Sequence, residues 1–258
     1  PGSAYLDFYD NKLFILSSVG ILGFSKEINN EIKFKQIKNN INDFIGEDQF
    51  KKHITDFSVK DLKIFNNKIY VSFTNEIKQD CWNLSVIVAN YNISNLKFKS
   101  LFNPNECVSS LDKIDTDTVR EDERFVPQQS GGRIINIDDE NLIISTGDWR
   151  FRDLSQNLQS TFGKLIKINI NNRNYKFVSL GHRNIQGLYY DKNSDFIIAT
   201  EHGPKGGDEI NIIKLNQDEI PNYGWPISSY GNHYINQPEV YKKYPLHKTH
   251  TNYGFIEP

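Results

Sequence analysis

The sequence predicts an all-β fold, and three observations carry that expectation. Apolar and polar residues alternate over short runs, which is the period of a half-buried strand. One strand–turn–strand theme with an Asp/Asn-rich turn recurs four times. Aromatic residues make up 13% and hydrophobic residues 38% of the 258 positions, a mix that suits strands and can fill a core.

The first copy of the theme is Leu6–Leu16, turning at Asp10-Asn11. The segment Ile32–Ile54 is the one helix candidate, with Ile37, Ile41, Phe44 and Ile45 at helical spacing and Gly46 interrupting it. The second copy, Leu62–Ser72, turns at Asn66-Asn67; from Lys68 to Thr74 it sets Ile69, Val71 and Phe73 on one face. Leu84–Tyr91 and Leu96–Phe102 form a predicted hairpin centred on Ser94, which places Cys81 opposite Cys107. A cross-hairpin disulfide and two buried free thiols both remain open. The third copy, Arg133–Ser145, turns at Asp138–Asn141. Lys164–Ile170 alternates Ile166, Ile168 and Ile170 ahead of an Asn171-Asn172 turn. The fourth copy, Leu188–Ala199, turns through Asp191–Asp195, and Glu209–Leu215 supplies a further strand. Four-stranded repeats of ~40–50 residues mark a β-propeller. Irregular spacing between copies implies long loops on one rim, where function concentrates.

Charge narrows the possible partners. There are 30 Lys+Arg against 32 Asp+Glu, a net charge of −2. Non-specific nucleic-acid or anionic-membrane binding needs a basic face, so neither is expected. The apolar run Leu13–Phe24 contains Ser17, Ser18 and Gly20 and falls short of the ~20 residues of a membrane span.

Chemistry-bearing residues cluster late in the chain. His182, Arg183, Asn184 and Gln186 bring a cation, amides and an imidazole to the start of a strand, a set that binds carboxylates and carbonyls. Glu201–Glu209 is a loop after a strand end; the carbonyls of Gly203 and Pro204 and the carboxylates of Asp208 and Glu209 suit a hard cation such as Ca²⁺. A plain Gly/Pro turn is the alternative.

Gly181-His-Arg-Asn-Ile-Gln-Gly-Leu188, then Glu201-His-Gly-Pro-Lys-Gly-Gly-Asp-Glu-Ile-Asn211, then Asn222-Tyr-Gly-Trp-Pro226 resemble the glucose/sorbosone dehydrogenase family. The resemblance is dense from about Gly131 to Pro226. It implies a six-bladed type of propeller, the pyrroloquinoline quinone (PQQ) cofactor and Ca²⁺. It implies that Arg183 and Asn184 hold the quinone and that the carbonyls of Gly203 and Pro204 ligate the Ca²⁺ bridging to it. Glu209 and the backbone of Tyr223 would form a second, structural Ca²⁺ site. The implied reaction oxidises the C1 hydroxyl of an aldose, with hydride passing to the quinone, in a periplasmic or secreted protein.

Two departures from the family pattern matter. The family's base His falls on Gln129 of Gln128-Gln129-Ser-Gly-Gly-Arg133, and a neutral amide is no general base. His182 and His202 are the nearby imidazoles. Four to five blades over residues 1–258, as a single domain, imply a six-bladed type of propeller truncated at its C-terminus, with open edges able to pair with another chain. The alternative function is therefore an inactive Ca²⁺-binding propeller that binds a glycan or a protein. Elsewhere, Asp115, Asp117 and Glu121–Glu123 are expected to be a solvated loop, as is the segment with Lys242, Lys243, His247, Lys248 and His250. Trp82 and Trp149 are expected to pack in the core or rim, with sugar stacking left open for Trp149.

Overall fold

Two-residue turns start the first two sheets. β1 (Ala4–Tyr9) and β2 (Lys12–Ser17) are joined by Asp10 and Asn11 at φ 49° and 54°. β6 (Val59–Phe65) and β7 (Lys68–Lys78) are joined by Asn66 and Asn67 at φ 49° and 53°. Successive positive φ values match the twist of a tight hairpin, and Asn and Asp tolerate them best after glycine. The other two copies of the theme close with side-chain bonds. Asp138 Oδ1 accepts the backbone N–H groups of Glu140 and Asn141 at 2.8 and 2.7 Å, between β11 (Gly131–Asn136) and β12 (Asn141–Thr146). Tyr190 donates its hydroxyl to Asp195 Oδ1 at 2.9 Å, between β15 (Ile185–Asp191) and β16 (Phe196–Glu201).

These hairpins belong to a computed structural model that describes residues 4–26, 32–44, 58–110, 125–234 and 238–258. The fold is all-β and of propeller type, with four blade sheets among the described residues. Each theme copy is the first hairpin of one blade. The chain divides into two compact units, Pro1–Cys107 and Val108–Pro258.

In the first unit, β1 and β2 continue into β3 (Leu22–Ser25) and β4 (Lys35–Gln36), in that order across the sheet. The second sheet runs β6, β7, β8 (Cys81–Asn90), β10 (Lys99–Phe102). β5 (Lys38–Asn39) and β9 (Asn95–Leu96) form a short parallel pair. Phe14, Leu16, Leu22 and Phe24 of the first sheet share a core with Ile64, Ile69, Val71 and Phe73 of the second. β7 is buried on both faces, because Tyr70 on the opposite face stacks on Phe65 with centroids 4.7 Å apart. The predicted hairpin forms one residue out of its expected register at Ser100 opposite Ile87, and an irregularity before Phe102 restores that register with Phe102 opposite Val86. Cys81 and Cys107 are bonded, with Cα atoms 5.2 Å apart, so the free-thiol alternative is excluded.

The helix expected over Ile32–Ile54 is absent from its described part. Residues 35–39 are strand fragments and Ile41–Asp43 is a single 3-10 turn. Ile37 and Ile41 are buried in the sheet core, because neighbouring strands offer pairing that a lone helix would forgo. Ile45, Gly46 and the rest of that segment lie outside the described residues, as does the acidic run at Asp115–Glu123.

In the second unit, β11, β12, β13 (Lys164–Asn169) and β14 (Tyr175–Leu180) form a four-stranded meander. β15, β16 and β17 (Glu209–Lys214) form the fourth sheet. Ile143, Leu165, Ile185, Ile197, Ala199 and Ile213 pack between them, each wholly buried. Full burial of an Ile or Leu is worth ~1.5–3 kcal/mol, so this core fixes the strand ends that carry the motifs.

Candidate functional site

Antiparallel neighbours alternate direction, so the motif loops leave one common end of the third and fourth sheets. β11 and β15 start there, β12 and β16 end there, and β17 starts there again. This gathers Gln129, Asp148, residues 181–184 and the loop 202–208.

Glu201, buried at the end of β16, organises the turn that bears Arg183 and Asn184. One of its oxygens accepts the backbone N–H of Arg183 and, at 3.3 Å, that of Asn184. The other accepts Asn211 Nδ2 at 3.3 Å and lies 2.9 Å from His182 Nδ1. His182 Nε2 lies 2.7 Å from Ser179 Oγ, and the ring stacks on Tyr223 with centroids 5.0 Å apart. His182 is therefore wholly buried with both nitrogens engaged, which removes it as a substitute base. His202 is exposed, with Nδ1 3.6 Å from Asp208 Oδ2.

Arg183 donates to the His202 carbonyl at 2.8 Å and lies over the Trp225 ring, 5.5 Å from its centroid. Trp225 Nε1 donates to Asp148 Oδ2 at 2.8 Å. Asp148 is wholly buried; burial pushes its carboxyl pKa up, while the Arg183 charge pulls against that rise. Gln129 sits between the two. With its amide oxygen turned to the guanidinium, it accepts from Arg183 Nη2 at 3.0 Å and Arg150 Nε at 3.3 Å, and donates to Asp148 Oδ1 at 3.2 Å. Its amide links an anion to two cations and offers no proton-accepting nitrogen. Asn184 Oδ1 accepts from the Gly131 N–H at 3.1 Å and Gln186 Nε2 at 2.9 Å, and its Nδ2 has no bond among the described residues.

The loop after β16 closes on itself. Gly203 N–H donates to Asp208 Oδ1 at 3.0 Å, and Gly207 N–H donates to the Pro204 carbonyl at 2.8 Å. A Cβ on Gly203 would lie 1.6 Å from the Gly207 carbonyl oxygen, so only glycine permits this approach. The Pro204 oxygen keeps a second lone pair. Glu209 opens β17 directly opposite Glu201. Burial, with Glu201 beside it, pushes its pKa up to about 8. Asn211 Nδ2 reaches both carboxylates at 3.3 Å, whereas Asn211 Oδ1 is buried without a partner. Tyr223 donates its N–H to the Leu180 carbonyl at 2.9 Å and its hydroxyl to the Ile212 carbonyl at 2.7 Å, and burial raises its phenol pKa. A cavity of about 350 Å³ opens beside Thr200, Glu201, His202, Asp208 and Glu209.

These residues fit the groups the sequence implied. Glu209, with the orphaned Asn211 amide oxygen beside it, offers oxygen donors suited to a hard divalent cation, whereas the two oxygens of Glu201 already engage four partners. Among the described residues no three His, Cys, Asp or Glu side chains group for a metal. Arg183 and the open Asn184 amide suit an anionic, carbonyl-bearing ligand.

The sequence left Glu201, Asn211 and Asp148 without roles, although the first two lie within the quoted motif. The signal that finds them is their burial, which only the fold reveals. Trp149 is wholly buried against Phe125 and Phe162, as is Trp82 in the first unit; neither is open to a sugar. His250, expected in a solvated loop, is also buried, stacked on Tyr230 at 5.3 Å.

The pattern of the family described as Glucose / Sorbosone dehydrogenase matches residues 56–254, more than half of the chain. The chain belongs to the glucose/sorbosone dehydrogenase family. Among the family's relatives, the aldose sugar dehydrogenase YliI of Escherichia coli is 32% identical over 117 residues, 40% of this chain and 30% of its own length. An uncharacterized protein of Synechocystis is 38% identical over 136 residues, 44% of this chain and 32% of its own length. The soluble aldose sugar dehydrogenase of E. coli, in its apo-form, superposes with a TM-score of 0.63 at 21% identity, over 92% of this chain and 67% of that one. The PQQ-bound aldose sugar dehydrogenase of Streptomyces coelicolor superposes with a TM-score of 0.64 at 19% identity, over 88% of this chain and 64% of that one. The match thus spans about a third of the curated relatives and about two thirds of the solved structures. Among the described residues no helix is long and apolar enough to cross a membrane.

Proposed function

We propose that this glucose/sorbosone dehydrogenase family chain acts as a PQQ- and Ca²⁺-dependent aldose sugar dehydrogenase, oxidising the C1 hydroxyl of a sugar. The supporting observation is the convergence of the Arg183 guanidinium, the open Asn184 amide and the Gly203–Pro204 carbonyl loop at one end of the fourth sheet. When bound, the quinone supplies the hydride acceptor, with Ca²⁺ as a Lewis acid on it. Arg183 would hold a carboxylate of the cofactor, Asn184 Nδ2 would donate to it, and Trp225 would wall the site beneath the guanidinium. The carbonyls of Gly203 and Pro204 would hold the catalytic cation. Glu209 and the Tyr223 backbone, with Glu201 and Asn211 alongside, would hold a structural one.

Gln129 favours a second reading, an inactive Ca²⁺-binding propeller that binds a glycan or protein. Its amide oxygen accepts from Arg183 and Arg150, its nitrogen donates to Asp148, and His182 is buried, so no base stands at the family's position. Loss of a general base typically costs ~10²–10⁴ in rate. The Cys81–Cys107 disulfide supports a periplasmic or secreted location. The edge strand β17, with Ile210 and Ile212 exposed, supports edge-to-edge association.

Titration of the Ca²⁺-loaded protein with PQQ, followed by cofactor absorbance and by dye reduction with a panel of sugars, separates the readings. The dehydrogenase reading expects a saturable spectral change, weakened at least about tenfold in Arg183→Ala, the worth of a charged hydrogen bond. No spectral change, with Ca²⁺-dependent melting, leaves the binding-protein reading. Turnover that appears or rises in Gln129→His marks a lapsed enzyme.

A further inference from the structure

Lys248 lies between the short helix Pro238–Lys243 and the 3-10 turn His250–Tyr253. Its ammonium donates to the carbonyls of Ser229 and Tyr230, both at 3.2 Å, to the Gly231 carbonyl, and to Asn232 Oδ1 at 3.3 Å. Three consecutive backbone carbonyls and one amide oxygen therefore point at a single charge. Oxygens so aimed repel one another unless a cation stands among them, and this is the donor pattern of a bound metal ion. No carboxylate pairs with Lys248 among the described residues, and the residue is exposed, so the cradle shares its charge with solvent.

The cradled turn touches the loop described above. Lys205 and Asn232 exchange backbone hydrogen bonds at 3.0 and 2.9 Å. A Cβ on Gly207 would lie 2.4 Å from the Gly231 nitrogen, and one on Gly231 would lie 2.6 Å from Pro204 Cγ. The two turns thus meet at close range, the Gly207 and Gly231 backbones against each other and the Pro204 ring against Gly231. The segment just before Lys248 is tied as well, since Ser229 N–H donates to the His247 carbonyl at 3.0 Å.

We propose that Lys248 is a positioning residue for the Gly203–Pro204 loop. Its tethered ammonium acts as a built-in monovalent cation that orders turn 229–232 and, through it, the carbonyls offered to Ca²⁺. This rests on the calcium reading of that loop. It adds a cation position filled from within the chain, behind that loop.

Lys248→Met keeps the alkyl stem and removes the charge. Ca²⁺ affinity is measured by calorimetry on wild type and variant, and melting temperature is measured in ammonium, potassium and choline chloride at equal ionic strength. The variant is expected to bind Ca²⁺ about tenfold more weakly, the worth of one charge-assisted hydrogen-bond set. Ammonium and potassium should restore part of that affinity and raise the variant's melting temperature, whereas choline, too large for the cradle, should not. Wild type should not distinguish the salts. Unchanged Ca²⁺ affinity in the variant, or equal rescue by choline, overturns the positioning role. Absence of Ca²⁺ binding to wild type overturns the calcium reading itself. Lys248→Gln, which keeps two donors, carries the same comparison if the Met variant does not fold.

Discussion

Glu201 shows how one side chain converts a sequence motif into a site. Its two oxygens hold two backbone N–H groups, an imidazole and an amide, and so set the directions of Arg183 and Asn184. His182 illustrates the reverse. In the motif it reads as an available imidazole, yet its burial between Ser179 and Glu201 makes it part of the scaffold. His250 has a different consequence. It is wholly buried, and burial pulls its pKa down, against the opposing charge of Glu257 and the backbone of Ile256 and Tyr223. Below about pH 6.5 the unfolded chain therefore takes up a proton that the folded chain resists. Stability from this group is intact at neutral pH and falls as the solution is acidified. His250→Phe keeps a ring on Tyr230 and removes the buried titratable imidazole. It should match or exceed wild-type stability at pH 7 and flatten the fall in melting temperature between pH 7 and pH 5, as read by scanning calorimetry.

At the scale of elements, the hairpins were the most legible feature. Two left-handed residues in succession need Asn, Asp or Gly, and that demand is written in Asp10-Asn11 and Asn66-Asn67. Asn11→Val should cost about 1–2 kcal/mol in urea unfolding, because a β-branched residue is strained at positive φ. Asn11→Gly should fall within a few tenths of wild type; a tolerated Val would mean that the turn does not hold this conformation. The segment around Ile37 and Ile41 forms strand fragments in place of the expected helix for an equally local reason. Apolar spacing alone cannot separate a short helix from strand fragments that bury the same residues, and tertiary pairing decided between them.

At the scale of the molecule, Cys81–Cys107 is the covalent constraint of the first unit. It spans 26 positions, so loop entropy assigns it about 3–4 kcal/mol. Cys81→Ser with Cys107→Ser should lower the melting temperature by several degrees, and a reducing agent should lower wild type toward the double variant. A reductant without effect on wild type would show that the bond carries no stability. The sequence by itself determined the β class, the hairpin turns, the four-copy theme and the family motifs, because each depends on residues close together in the chain. The tertiary structure alone decided that the two cysteines are joined, that Glu201 faces Glu209, and that Gln129 lies between Asp148 and Arg183. It also placed Lys248 in a cradle behind the cation loop. Those facts rest on register and on the crossing of distant segments, and the energies that fix them come from burial and pairing that no local pattern encodes.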